Sequence, residues 1–122
     1  MRHAKKERKF GREKNVRNAL LRGLAISLIK HGKIETTEAK AKELRKFVEP
    51  LVTIAKKATT NDGKVTASRL VSSRLVNNRI EVKKLVNEIA PKYVTTPGGY
   101  TRIIKTGTRL SDSAKMAVIE FV

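Results

Sequence analysis

The heptapeptide PGGYTRI, at residues 97–103, combines two adjacent glycines with a nearby cation. Glycine permits backbone angles that other residues rarely adopt, so the amides of Gly98 and Gly99 can approach a phosphate closely. Three cations lie at or beyond the end of this stretch: Arg102, Lys105 and Arg109. The pattern leaves three interpretations open, namely a phosphate cradle, an active-site loop and a turn that only closes a hairpin.

The larger side chains beyond the glycines carry alternatives of their own. Tyr100 either fills the core or stacks on a base, and the sequence does not choose between the two. We expect Arg102 and Arg109 to lack acidic partners, and a cation without such a partner favours contact with phosphate. The segment is therefore predicted to be a phosphate-binding turn at the start of a strand.

The first 17 residues carry a dense set of cations. Eight basic and two acidic residues give them a net charge of +6, and few of the others are apolar. A segment of this composition buries too little surface to order itself, so we expect a flexible arm that becomes fixed on a polyanion. The alternative is a solvated tail that only aids solubility. The cations of this arm are Arg2, Lys5, Lys6, Arg8, Lys9, Arg12, Lys14 and Arg17.

The charge of the whole chain narrows the choice of partner. Its 122 residues include 28 Lys and Arg but 11 Asp and Glu, a net charge of +17 with an isoelectric point near 10.7. Self-repulsion of this size opposes compactness, so nucleic acid is the first candidate partner. An acidic membrane surface ranks well below it, because surface-bound helices need large apolar groups at their boundary and tryptophan is absent.

Other classes of site are disfavoured. The chain has no cysteine and two histidines, which excludes disulfides and argues against zinc ligation. Its longest apolar window, residues 24–29, is far shorter than the roughly 18 residues of a membrane span. Glycine motifs for nucleotides are missing, and His31 is better explained as a helix-terminal residue than as a base. We therefore expect a soluble cytoplasmic protein that is not an enzyme and has no cofactor, metal or small-molecule substrate.

Apolar periodicity predicts helices through most of the chain. A helix is expected over residues 16–29, with Gly32 as its C-terminal cap. Two later helices are expected over residues 67–75 and 82–89, and Pro91 should end the last one.

A strand and a second helix lie between these segments. The strand is KIETT, residues 33–37, and Thr36 or Thr37 should cap the helix that follows. Pro50 lies inside this helix and is predicted to kink it. The helix carries the strongest periodic signal of the chain, a stripe expected to be buried: Leu44, Phe47, Val48, Leu51, Val52 and Ala55.

The last third of the chain is rich in β-branched and aromatic residues, as strands are. Residues 100–110 and 116–122 are the predicted strands, and residues 111–115 should connect them as a hairpin. The order of elements predicts an α+β fold. We expect one two-layer domain over residues 15–122, with about four helices on a small mixed sheet of about three strands, and a flexible basic arm over residues 1–14.

The kind of nucleic acid follows from what is missing. The second helix could read duplex DNA, but Glu43 and Glu49 stand among its cations and would repel the backbone. A single-strand binder would need several aromatic residues, and the chain has five Phe and Tyr. We therefore expect a binder of shape and phosphates, suited to a folded RNA, with steep salt dependence. A nucleoid-type DNA-binding protein is the alternative.

Five stretches carry a resemblance over essentially the full chain: MRH at 1–3, RNALLRGLA at 17–25, IETTEAKAKELR at 34–45, EIAPKY at 88–93 and PGGYTRI at 97–103. Together they resemble the family of bacterial large-subunit ribosomal protein seventeen. The resemblance implies an α+β structural protein of the large ribosomal subunit in the cytoplasm, without catalysis. It also implies two kinds of partner, large-subunit ribosomal RNA and neighbouring large-subunit proteins.

The resemblance implies sites as well. The basic arm, residues 2–17, should bind RNA, and His3 belongs to this set through the first motif. Arg22, in the second motif, is also expected to contact RNA. The third set lies in the glycine turn and the strand beyond it: Gly98, Gly99, Tyr100, Arg102, Lys105 and Arg109.

Overall fold

The computed structural model describes residues 3–59 and 63–122. Within them the element order is α1 (Lys14–His31), β1 (Lys33–Thr37), α2 (Glu38–Lys57), α3 (Lys64–Arg74), α4 (Arg79–Lys84), β2 (Thr101–Thr108) and β3 (Lys115–Phe121). A π-helical turn, Leu85–Ile89, and a 3-10 turn, Ala90–Tyr93, prolong α4. The predicted α+β class is confirmed.

The three strands form one sheet in the order β1, β3, β2, and both pairings are antiparallel. Ile119 in the central strand pairs with Ile34 on one side and with Ile103 on the other. The expectation of a mixed sheet is wrong. A short hairpin joins β2 to β3, and β1 reaches β3 from the other edge, so the connections require no parallel pair.

The two faces of the sheet differ in their cover. Ala117 and Ile119 of the central strand are fully buried on the face that packs against α2. The opposite face carries Arg102 and Ile104 of β2, and Ile104 is 46% exposed. The hairpin therefore presents one side to the core and the other to solvent.

The second helix supplies the centre of the core. Pro50 lies on its exposed side, and α2 continues through it. Phe47 is half-buried at the edge of the core. The remaining members of the predicted stripe have no exposed surface: Leu44, Val48, Leu51, Val52 and Ala55. The period of 3.6 residues thus predicted this face correctly.

The first helix and the end of the last one test the predicted boundaries. Gly32 caps α1 with φ of 80°, and its amide donates to the Leu28 carbonyl at 2.7 Å. Val16 is 53% exposed, so α1 is buried over its second half alone. Pro91 does not end the helical segment as expected. It lies in the first turn of Ala90–Tyr93, a position at which proline is common.

In the described ranges, 3–59 and 63–122, no helix combines the length and apolar character needed to cross a membrane.

Candidate nucleic-acid interface

The N-terminal arm runs from His3 to Glu13 without helix or strand. Phe10 and Gly11 take positive φ of 54° and 62°, and a hydrogen bond of 3.1 Å from the amide of Arg12 closes a turn on the carbonyl of Lys9. Arg2 lies outside the described residues. The other predicted contacts up to the start of α1 are exposed, as phosphate contact requires: His3, Lys5, Lys6, Arg8, Lys9, Arg12 and Lys14.

One contact ties the arm to the body. The Nε atom of Arg8 lies 3.8 Å from Oε1 of Glu43, and Nζ of Lys46 lies 2.9 Å from the same oxygen. Glu43 is 6% exposed. A buried carboxylate needs a charged or hydrogen-bonded partner, and the two cations supply it. The two cations therefore balance the charge of Glu43, which reduces its repulsion of a phosphate backbone.

The arm meets the helices at a small cleft of about 170 Å³. Arg8 of the arm, Arg17 of α1 and Lys46 of α2 line it. Arg17 and Arg22 are half-buried rather than fully exposed. Nε of Arg22 donates to the carbonyl of Arg74 at 3.2 Å, which links α1 to the end of α3.

The glycine turn is held against α2 by one lysine. Nζ of Lys56 donates to the carbonyl of Thr96 at 2.6 Å and to the hydroxyl of Tyr100 at 3.0 Å. Gly99 takes a φ of 65°, whereas Gly98 does not adopt a positive φ. A Cβ added to Gly98 would find no atom within 4 Å. Neither backbone strain nor packing within the described protein therefore requires glycine at position 98.

Tyr100 belongs to the core. Its side chain is 2% exposed, its ring lies 5.3 Å from that of Tyr93, and its hydroxyl is 3.3 Å from that of Thr53. Hydrogen bonding from Lys56 lowers the pKa of the Tyr100 phenol. A ring buried in this way cannot stack on a base, so the assignment of Tyr100 as an RNA contact is corrected.

Arg102 has an acidic partner, contrary to expectation. Its Nη2 and Nε atoms lie 2.7 and 3.0 Å from Oε1 of Glu120, directly opposite in the pairing of β2 with β3. The side chain of Arg102 nevertheless stays 57% exposed. Sequence reasoning missed this pair because it depends on the strand register.

Arg109 is paired as well. Its Nη2 lies 2.7 Å and its Nε 2.9 Å from the carboxylate oxygens of Asp112 in the hairpin loop. This hydrogen bonding lowers the pKa of Asp112 to about 2 and raises that of Arg109. The three-residue spacing was visible in the sequence, and it is the signal that the expectation of no acidic partner overlooked.

The third cation of the hairpin approaches α2. Nζ of Lys105 lies 3.6 Å from Oε1 of Glu38, which also pairs with Lys42 at 2.9 Å. Hydrogen bonding from Lys42 is the main cause of the lowered pKa of Glu38. Lys105 keeps 74% of its side chain exposed. Gly98, Arg102 and Lys105 thus lie along one connected segment, but each cation there shares its charge with a carboxylate.

Sequence reasoning missed a third group of cations, on α2 and α3. Arg45, Lys46 and Arg74 line an open cleft of about 730 Å³ together with Gly98. The sequence argues against Arg45 and Lys46 because Glu43 and Glu49 stand beside them on α2, and it gives no signal for Arg74. The structure shows both carboxylates engaged, Glu43 as described above and Glu49 through hydrogen bonds to Thr101 at 2.9 and 3.3 Å.

Comparison with known proteins gives a consistent result. The family model of ribosomal protein L17 matches residues 20–122. The large ribosomal subunit protein bL17 of Sulfurimonas denitrificans is 54% identical over 122 residues, which cover all of both chains. That of Persephonella marina is 54% identical over 123 residues, covering all of this chain and 95% of the relative.

A longer relative shows the same match. The large ribosomal subunit protein bL17 of Bacteroides thetaiotaomicron is 52% identical over 122 residues, covering all of this chain and 71% of that protein. The match spans the arm, the helices and the hairpin alike. On the family model and on these relatives, the chain belongs to the ribosomal protein L17 family.

Proposed function

We propose that this protein binds large-subunit ribosomal RNA and supports assembly of the large ribosomal subunit in the cytoplasm. The family is a structural component of the ribosome, which confirms the prediction that the chain is not an enzyme. Neighbouring large-subunit proteins are the expected second class of partner.

The observation that carries the proposal is the exposed arm. Its cations stand in solvent, and the turn at Phe10 and Gly11 bends it beside α1 and α2 rather than folding it into the core. Each cation that neutralises a phosphate releases counterions, which favours binding and makes it depend on salt. The exposed side chains of Arg102, Lys105 and Arg109 supply further positive charge on the hairpin.

The shape of the molecule favours a folded RNA over a duplex. Glu38, Glu43 and Glu49 lie on α2 among its cations, and the ring of Tyr100 is buried and cannot stack on a base. Proteins that read double-stranded or folded RNA use phosphates, ribose hydroxyls and shape. We therefore assign recognition to the backbone of the RNA rather than to its base sequence.

Two measurements test the proposal. Tagged protein should sediment with large subunits in a sucrose gradient, and its presence in free-protein fractions alone would refute a ribosomal role. In competition at one salt concentration, deproteinised large-subunit RNA should displace the protein from a duplex DNA fragment of equal phosphate content. Equal preference for the two would instead support a nucleoid-type DNA-binding protein.

A further inference from the structure

The larger of the two clefts lies mostly outside the arm and the glycine turn, the two segments that the sequence singled out, and meets the turn at Gly98 and Tyr100. Arg45, Lys46 and Pro50 line its α2 wall, Arg74 lines it from the end of α3, and Gly98 lines it from the glycine turn. Its volume of about 730 Å³ falls in the range of clefts that hold small ligands, roughly 300–1,000 Å³. Three cations at one cleft indicate an anionic occupant.

The carboxylate of this cleft does not oppose an anion strongly. Oε1 of Glu49 accepts hydrogen bonds from the hydroxyl and the amide of Thr101, which hold it toward β2. Nη2 of Arg45 donates to the carbonyl of the same threonine at 3.5 Å, so Arg45 and Glu49 of α2 both contact Thr101. Arg45, Lys46 and Arg74 are all exposed.

Apart from Thr53, the remaining lining is largely apolar. Pro50 and Ile54 of α2 form one wall, and the buried Tyr100 underlies it. An apolar wall beside a cluster of cations matches a nucleotide, whose base needs contact area and whose phosphate needs charge. An acidic peptide would supply charge without a planar group for this wall.

Lys46 connects this cleft with the smaller one beside the arm. It lines this cleft and also the smaller one beside Arg8 and Arg17, so the two clefts meet at one side chain. Gly98 of the glycine turn lines the larger cleft as well. The cleft therefore connects the arm with the glycine turn, which are separate in the sequence.

We propose that this cleft binds an unpaired nucleotide of the RNA, with its phosphate at Arg45 and Arg74 and its base against Pro50 and Ile54. The proposal rests on the RNA-binding function proposed above. One RNA strand then passes from the arm, across Lys46 and the cleft, to Gly98.

The first test removes the cations. The double variant Arg45→Gln with Arg74→Gln is compared with Arg69→Gln and Lys83→Gln, which lose the same charge from exposed positions outside the cleft. The dissociation constant for deproteinised large-subunit RNA is measured across a salt series. We expect the cleft variant to lose about 1.4 from the slope of log K against log salt, which corresponds to two contacts, and the control to lose less.

The second test adds one negative charge and removes no cation. Thr53 is an exposed residue in the lining of the cleft, and Thr66 is an exposed residue of α3 outside it. Thr53→Glu should weaken RNA binding on the order of tenfold, a typical value for one charged contact. Thr66→Glu should change it much less, and circular dichroism should show that both variants are folded.

The outcomes separate the two proposals. If the native protein does not prefer large-subunit RNA over duplex DNA, the proposed function fails. If it does, but each cleft variant binds RNA as its control does, the cleft inference alone is overturned.

Discussion

The arm and the hairpin are both rich in cations, but they use them differently. Among the described arm cations, Arg8 is the one that meets a carboxylate, at 3.8 Å. In the hairpin, Arg102, Lys105 and Arg109 each lie within 4 Å of a carboxylate. The arm cations can therefore bind phosphates directly. Each of these three hairpin cations must first leave its carboxylate before it binds a phosphate. Local charge in the sequence does not reveal this difference.

The largest expected effect comes from the arm. Deleting residues 1–14 removes seven basic and two acidic residues. We expect RNA affinity to fall by orders of magnitude and the salt slope by up to about 5, because each contact contributes roughly 0.7. The thermal transition should hardly move, since Glu43 keeps Lys46 as its partner at 2.9 Å when Arg8 is removed.

A length-preserving variant controls for the deletion. Five arm cations are changed to Gln, namely Lys5, Lys6, Arg8, Lys9 and Arg12, and are compared with five exposed cations elsewhere, namely Lys64, Arg69, Arg79, Lys83 and Lys92. Each set of substitutions removes five positive charges. Equal losses of affinity would mean that overall charge, not the arm, drives binding. A large fall in the melting temperature of the arm variant would mean that the arm packs as part of the fold.

The sequence predicted what depends on local patterns and failed where distant parts meet. Periodicity gave the buried stripe of α2 and the Gly32 cap, because both depend on neighbours within one helix. The pair of Arg102 and Glu120 requires the register of β2 against β3, which no local pattern supplies. The pair of Arg8 and Glu43 likewise requires the arm to lie beside α2. For the cations of the candidate site, the errors therefore concerned their partners rather than which residues carry charge.

The second prediction concerns a substitution that releases Arg102 of the hairpin from its carboxylate. Glu120→Gln removes the carboxylate that holds Arg102, so Arg102 should become as available as an arm cation. A surface pair of this kind is worth about 0.2–1 kcal/mol, so we expect RNA affinity to rise about two- to fivefold. Glu35→Gln is the matched control, because Glu35 is an exposed acid of β1 that lies opposite Val118 and bonds a threonine. An equal rise in both variants would show a general charge effect and would remove the distinction between arm and hairpin.

The third prediction concerns close approach at the base of the hairpin. Gly98→Ala should leave stability within a few tenths of a kcal/mol or raise it slightly, because its φ is not positive and a Cβ meets nothing within 4 Å. It should still weaken RNA binding by about twofold if the RNA backbone contacts this turn. Gly99→Ala should instead lower the free energy of unfolding by about 1–2 kcal/mol, because alanine is strained at the φ of 65° that Gly99 adopts. If Gly98→Ala leaves RNA affinity unchanged, the RNA backbone does not approach this turn closely, and its close contacts are confined to the arm.

The smallest expected effect is a dependence on pH in the hairpin loop. Hydrogen bonding from Arg109 lowers the pKa of Asp112 from 3.8 to about 2 in the folded protein. Because the folded value lies below the unfolded one, the pair contributes its stability above about pH 3.8 and loses it as the pH falls toward 2. Both groups are exposed, so the change in melting temperature over this window should be slight. Carboxyl chemical shifts measured by NMR should place the Asp112 midpoint near 2 and return it toward 3.8 in Arg109→Gln.

Addition of RNA to the native protein should raise the midpoint of Asp112 in the same direction if Arg109 leaves Asp112 for a phosphate. A midpoint that RNA does not change would mean that this cation stays with its carboxylate and that the hairpin tip contributes nothing to binding.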